Sequence, residues 1–196
     1  LFQYTDGLTE APNKAKEMLA SFHGIFHLLS DFEGLMIACV QGPALGGGCE
    51  LALFADMVLA SEDAKFGQPE IKLGVIAPVA MVLIPKLSPW RNAKEFLLSG
   101  ESISSQEAQR FGMVNRVFEP SLFEAKVEEY LAGFKKLSIS SLRIAKKALR
   151  KIHSQDFKAQ LQIAEEIYLH NLMKTKDAEE GLLAFLEKRK PSWSHS

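Results

Sequence analysis

The 196-residue chain carries 23 Lys and Arg against 24 Asp and Glu, a net charge of −1, with 47% apolar and 24% charged residues. This is the make-up of a globular protein of one domain, or one domain plus an appendage, and the near-neutral charge argues against a general nucleic-acid binder. No apolar run reaches the roughly eighteen residues that span a bilayer, and no secretory leader is read at the start.

Leu1–Tyr4 reads as a short strand remnant and Asp6-Gly7 as a turn. Asn13 to about Ser30 has helical spacing, with Ala15, Met18, Leu19, Phe22, Ile25, Phe26 and Leu29 on one face; Thr9 or Asn13 is placed to cap it, and Pro12 suits its start. His23 and His27 are four apart and share a side of this helix. Gly24 follows His23 where a zinc helix of the HExxH kind has Glu, and no third ligand is evident, so they read as surface or half-buried histidines. Met36–Gln41 is strand-like, Gly42-Pro43 a turn, and 47–55 a helix. A strand at 57–60 and an extended piece at Ala64–Phe66 follow, leading into the loop that ends at Glu70.

Pro78 opens a further helix that Pro85 should end or kink. Ser88-Pro89 reads as N-cap and first residue of the helix that runs to Ser99 and stops at Gly100. Ser104 to Glu107 is a capping box for a short helix ending at Gly112, and Asn115–Phe118 reads as a strand. Ser121 and Glu124 predict a second capping box, leading a helix to about Phe134. Helices over Ser140–Ile152 and Phe157–Leu172 follow, and Asp177 is expected to cap a last one to about Lys188. Strands alternating with helices, then helices alone, divide the chain into an α/β core over 1–120 and a helical region over 121–196. Periodicity alone is also compatible with a doubly wound sheet.

The chemistry gathers around Gly46, Gly47 and Gly48. Each glycine disfavours a helix by roughly 1 kcal/mol relative to Ala. Bare N–H groups at a helix start suit an anion or a developing oxyanion, although a tight strand-to-helix crossover needs glycines too. The spacing fits neither nucleotide-phosphate motif. Glu50 lies in the first turn of that helix and Glu70 twenty residues on. Two carboxylates on one reacting group are a general acid–base device; as isolated residues they are a favourable first-turn acid and a surface loop residue. Cys39 and Cys49 read as reduced, buried, small apolar residues of a cytoplasmic protein; a nucleophilic Cys49 at the helix start is the alternative. Arg143, Lys146, Lys147, Arg150 and Lys151 form a basic helix face, read as solvated, with a landing site for CoA phosphates or RNA as the alternative.

The run Ile37–Gly74, IACVQGPALGGGCELALFADMVLASEDAKFGQPEIKLG, closely resembles the signature of the crotonase (enoyl-CoA hydratase/isomerase) superfamily. Weaker resemblance continues through LSGESISSQEAQRFGMVNRV and GLLAFLEKRKPSW. It implies a ββα spiral core with a C-terminal all-helical trimerisation region, and a homo-trimer or dimer of trimers. The reaction it implies is addition of water to the C=C bond of a 2-enoyl-CoA thioester. By resemblance Glu50 activates water, Glu70 protonates the α-carbon, Gly47 supplies one of two oxyanion-hole amides, and Phe185 and Lys188 reach a neighbouring subunit's CoA. No metal or redox cofactor is implied; CoA enters as part of the substrate. Isomerases of the family rely on one glutamate at the position of Glu70, so the pair favours a hydratase. An enoyl-CoA isomerase, or a catalytically idle scaffold or RNA-binding member, is the alternative.

Two departures stand out. The N-terminal strands and the FxAGxD-type segment that supplies the second amide are not recognisable before Asn13, so the N-terminal part of the core reads as missing. Gly74–Ala80, GVIAPVA, stands where many simple hydratases are glycine-rich. With KEMLASFHGIFHLL it resembles hydratases of cyclic dienoyl-CoA thioesters such as cyclohexa-1,5-diene-1-carbonyl-CoA.

Overall fold

Residues 11–152 and 157–194 are described by the computed structural model. The readings on Leu1–Tyr4, Asp6-Gly7 and Thr9 lie outside them. The first helix, α1 (Ala11–Asp31), takes Asn13 into its body rather than at its cap. Leu19 and Phe26 are buried on it, as the 3.6-residue spacing predicts.

Two ββα turns then follow. The first is β1 (Ile37–Val40), β2 (Pro43–Leu45) and α2 (Gly47–Phe54); the second is β3 (Met57–Ser61), β4 (Lys65–Gly67), a 3-10 helix at Pro69–Leu73, and α3 (Pro78–Leu87). Next come α4 (Trp90–Ser99), β5 (Ile103–Ser104), α5 (Ser105–Arg110) and β6 (Arg116–Phe118). Two three-stranded sheets result. One is parallel, in the order β1-β3-β6, with Ile37 opposite Met57 and Leu59 opposite Arg116; the other has the order β2-β4-β5, parallel between β2 and β4 and antiparallel between β4 and β5. The chain steps between sheets in every turn, which gives a spiral and not a doubly wound sheet. A core built from Cys49, Leu53, Val58, Phe66, Ile84, Phe96 and Met113 joins the sheets to α2, α3 and α4.

The helical region comprises α6 (Phe123–Lys135), α7 (Ile139–Ile152), α8 (Phe157–His170) and α9 (Lys176–Leu186). It packs back onto the core. Helices α3 and α8 lie together, and α9 lies on the 3-10 helix. Among the described residues no helix is long and apolar enough to cross a membrane.

Several local expectations hold and others are corrected. Ser104 and Glu107 form the capping box, each side chain satisfying the other's backbone N–H. The second box does not form: the Ser121 hydroxyl donates to Glu119, and α6 begins at Phe123 without a side-chain cap. A 3-10 turn at Pro120–Leu122 has used the residues the box needed. Ser88 closes α3 instead of opening α4, whose N-cap is Pro89. Pro85 lies inside the last turn of α3, which runs on to Leu87. The cap of α9 is Thr175, whose hydroxyl accepts from the Ala178 N–H at 3.1 Å, and Asp177 lies within the helix. Cys39 is exposed, not buried.

The histidines and the basic face also differ from expectation. His23 is fully buried and paired with Glu165 of α8. On α7, Arg143, Lys147 and Lys151 are solvated, but Lys146 is buried. Its ammonium donates to Asp56 Oδ2 at 2.6 Å and to the Gly34 carbonyl at 2.5 Å. Arg150 donates to the carbonyls of Ser30, at 2.5 Å, and Phe32, at 3.2 Å. Two of the five cations therefore fasten α7 to the core.

Candidate active site

The site is built at the first turn of α2. Its N-cap, Gly46, offers no side chain to the exposed amides and has φ 53° and ψ −127°. The Gly46 N–H donates to the Gly67 carbonyl at 2.9 Å, and its own carbonyl accepts from the Glu50 N–H at 3.0 Å and from Gln68 Nε2 at 3.3 Å. The helix start is thereby tied to the end of β4 and to the residues that lead to Glu70. Parallel pairing of Leu45 with Gly67 sets the two loops side by side.

Glu50 points inward and is buried. Its Oε1 accepts the Ala80 N–H at 2.8 Å. The reason lies in α3. Pro78 occupies the first position of that helix, so the next amides have no partner within it, and Glu50 satisfies them as an anion at a helix N-terminus. Burial dominates the electrostatics and pushes the Glu50 carboxyl up to about 7; the Ala80 amide opposes this, the Glu70 charge adds to it, and the Val79 amide again opposes.

Glu70 sits in the first turn of the 3-10 helix. A Cβ built at Gly46 would stand 2.6 Å from Glu70 Oε1, so the carboxyl rests against the bare Cα of the N-cap. Burial raises its pKa as well, opposed by its own backbone amide. Oε2 is buried with no hydrogen-bond partner among the described residues, as is Oε1 of neighbouring Gln68. Both side chains line one narrow crevice with Ile71, Ile76, Ala77, Met81 and Leu97. Two carboxyls of raised pKa thus lie near enough for the charge of one to act on the other, Glu50 bonded to the start of α3 and Glu70 against the N-cap of α2, the arrangement expected of a proton-transfer pair.

Gly47 opens α2 and is half-buried, with the Phe22 ring packed against it: a Cβ at 47 would meet Phe22 Cζ at 2.8 Å. Cys49 faces the core and is fully buried; desolvation drives its thiol up to about 12, which removes it as a nucleophile. Phe185 and Lys188 lie apart from the glutamates in sequence, at the end of α9. Both are exposed, and Lys188 adopts the left-handed conformation, φ 52°, that terminates the helix. Sequence reading missed the Ala80 amide and Phe22. The first was signalled by Pro78, which announces free amides at the next turn. The second carried no signal beyond its place on the apolar face of α1.

The description "Enoyl-CoA hydratase/isomerase" belongs to a family model that matches residues 3–196. A cyclohexa-1,5-dienecarbonyl-CoA hydratase of Thauera aromatica is 39% identical over 186 residues, 94% of this chain and 71% of that protein. A 2,3-dehydroadipyl-CoA hydratase of Escherichia coli is 41% identical over 168 residues, 84% of this chain and 65% of that protein. Among solved structures, an enoyl-CoA hydratase from Mycobacterium avium subsp. paratuberculosis superposes with a TM-score of 0.83 at 27% identity, covering 91% of this chain and 73% of that one. The spiral, the glutamate pair and these likenesses agree: the chain belongs to the enoyl-CoA hydratase/isomerase family and has the crotonase fold.

Proposed function

We propose that this chain hydrates the C=C bond of 2-enoyl-CoA thioesters, with Glu50 and Glu70 as the proton-transfer pair. The observation that carries the reading is the placing of two carboxyls of raised pKa around the first turn of α2: Glu50 on that turn, accepting from Ala80 at the start of α3, and Glu70 against its N-cap Gly46. Glu50, ionised and oriented by the Ala80 amide, takes a proton from water. The hydroxide oxygen bonds to the β-carbon, the C=C electron pair moves to the α-carbon and thioester oxygen, and the Gly47 N–H stabilises that oxygen. Glu70, protonated, gives its proton to the α-carbon. The product carries one added water, and the two carboxyls have exchanged protonation states. A double-bond shift needs a single carboxyl to move one proton, so the oriented second carboxyl favours hydration.

No metal or redox cofactor has a part in these steps, and CoA serves as the carrier of the acyl group. The 39% identity to a cyclohexa-1,5-dienecarbonyl-CoA hydratase supports cyclic dienoyl-CoA thioesters as the substrate class. A trimer or dimer of trimers, with Phe185 and Lys188 on a neighbouring subunit's CoA, is supported by the exposure of both residues at the end of α9. The test is loss of the enoyl-thioester ultraviolet absorbance of crotonyl-CoA and of a cyclic dienoyl-CoA. Loss that disappears in Glu70→Gln is expected; double-bond migration without water uptake would replace the reading by isomerisation.

A further inference from the structure

We propose that Phe22 is the specificity-determining wall of this site, held against the Cα of Gly47 by a clasp between α1 and α8, and that it selects acyl groups with a planar ring beside the thioester. The inference rests on the acyl-CoA reading and extends it to the acyl group. A Cβ at Gly47 would lie 2.8 Å from Phe22 Cζ and 3.2 Å from Cε2, so the ring covers the Cα one bond from the N–H group. A thioester oxygen that accepts from this N–H brings its conjugated carbons beside the ring.

Phe22 is held in place. Its ring meets Phe26 edge-on, with centroids 5.2 Å apart and planes at 74°. Phe26 is fully buried and meets Phe54 at 5.2 Å, and Phe54 meets Phe157 of α8 at 5.1 Å. The next residue, His23, lies 5.8 Å from the Phe22 ring and is paired with Glu165 of α8. At the far end of α1, Lys158 of α8 holds Asp31 at 3.0 Å. A fixed aromatic edge or face beside the reacting group favours a flat conjugated ring through offset or edge contact, whereas a saturated chain loses rotamers to make the same contact.

Binding of two thioesters that cannot be hydrated, benzoyl-CoA and butanoyl-CoA, tests this by calorimetry on the purified protein. Tighter binding of benzoyl-CoA is expected. Phe22→Ala should weaken benzoyl-CoA about 3- to 10-fold and butanoyl-CoA less than about 2-fold. Phe22→Leu keeps the apolar bulk and the fold but lacks the ring, and should show the same selective loss. Glu165→Gln, which acts through His23, should give a smaller shift in the same direction; an unchanged ratio there would overturn the clasp. Equal weakening of both ligands in the Phe22 variants, or no preference in the unmodified protein, would overturn the wall. Because no turnover is read, a protein inert towards enoyl-CoA that still shows the Phe22-dependent preference would keep this inference and overturn hydration. Failure to bind either thioester would overturn both.

Discussion

Glu70 and Gly46 share one space: the carboxyl oxygen stands 2.6 Å from the point where a Cβ on residue 46 would be. Gly46 also holds φ 53° with ψ −127°, a combination outside the left-handed helical well that glycine adopts freely and a residue with a Cβ does not. Gly46→Ala is therefore expected to strain the N-cap and push Glu70 aside together. Displacement of a reacting group by about 1 Å costs about 100-fold in turnover. A fall in crotonyl-CoA hydration of this size, with a lower melting temperature, is the expected outcome; unchanged turnover would mean that Glu70 does not act from this position.

Glu50 links activity and stability to pH. Its folded-state pKa of about 7 lies above the ordinary value of 4.5. Between those values the folded protein binds more protons than the unfolded chain, so this group's contribution is fully present below pH 4.5 and is lost as pH rises through 7. The full loss is on the order of 3 kcal/mol. Glu50→Gln keeps an acceptor for the Ala80 N–H and has no charge to bury. Its melting temperature at pH 8 should exceed that of the unmodified protein, with the difference vanishing near pH 4, while hydration is abolished. In the unmodified protein kcat/KM should rise with pH through about 7 as the base ionises.

Much of this was legible in the residues, and what was not has physical causes. The long elements announced themselves through apolar spacing, and the Ser104–Glu107 box through its reciprocal chemistry. Strands β2 and β5, three and two residues long, are too short to show alternation. The Ser121–Glu124 pattern was present, but Pro120 nucleated a tighter turn over the same residues. For the site, Glu50, Glu70 and the glycines stood out by type and spacing. Their convergence did not, because β2–β4 pairing and the free amides of α3 set it. His23 read as a surface or half-buried histidine and Lys146 as part of a solvated face, since nothing local reveals their partners Glu165 and Asp56, 142 and 90 residues away.

Lys146 should behave as a buried fastening. Its side chain is 5% exposed, and Asp56 also accepts the Met36 N–H at 2.7 Å. Lys146→Met would leave the Asp56 carboxylate without its cation and the Gly34 carbonyl without this donor. A loss of about 1–2 kcal/mol in urea unfolding is expected, since the Asp56 carboxylate left behind is solvent-exposed. Lys147→Met, one residue on and solvated, should change stability by less than about 0.5 kcal/mol.

Gly181 lies where α9 meets the turn that carries Glu70. A Cβ there would fall 2.2 Å from the Leu73 carbonyl oxygen, a backbone atom that cannot rotate away. Gly181→Ala should force α9 and the Pro69–Leu73 turn apart, lowering stability by about 1–3 kcal/mol. Because Glu70 rides on that turn, kcat should fall too, although position 181 lies outside the reacting groups. A variant that loses stability but keeps its full kcat would show the turn to be rigid without α9.

The same contact imposes an order of events on the making of the protein. A ribosome that has released the chain through α4 has already delivered both glutamates and the glycine amides, yet not the helix that buttresses one of them. If the Gly181 contact sets the position of Glu70, full acyl-CoA turnover by a nascent chain waits until α9 has emerged and docked. On the same footing, a protease cut between α8 and α9 leaves every reacting residue intact and lowers turnover only where α9 then comes away from the Pro69–Leu73 turn.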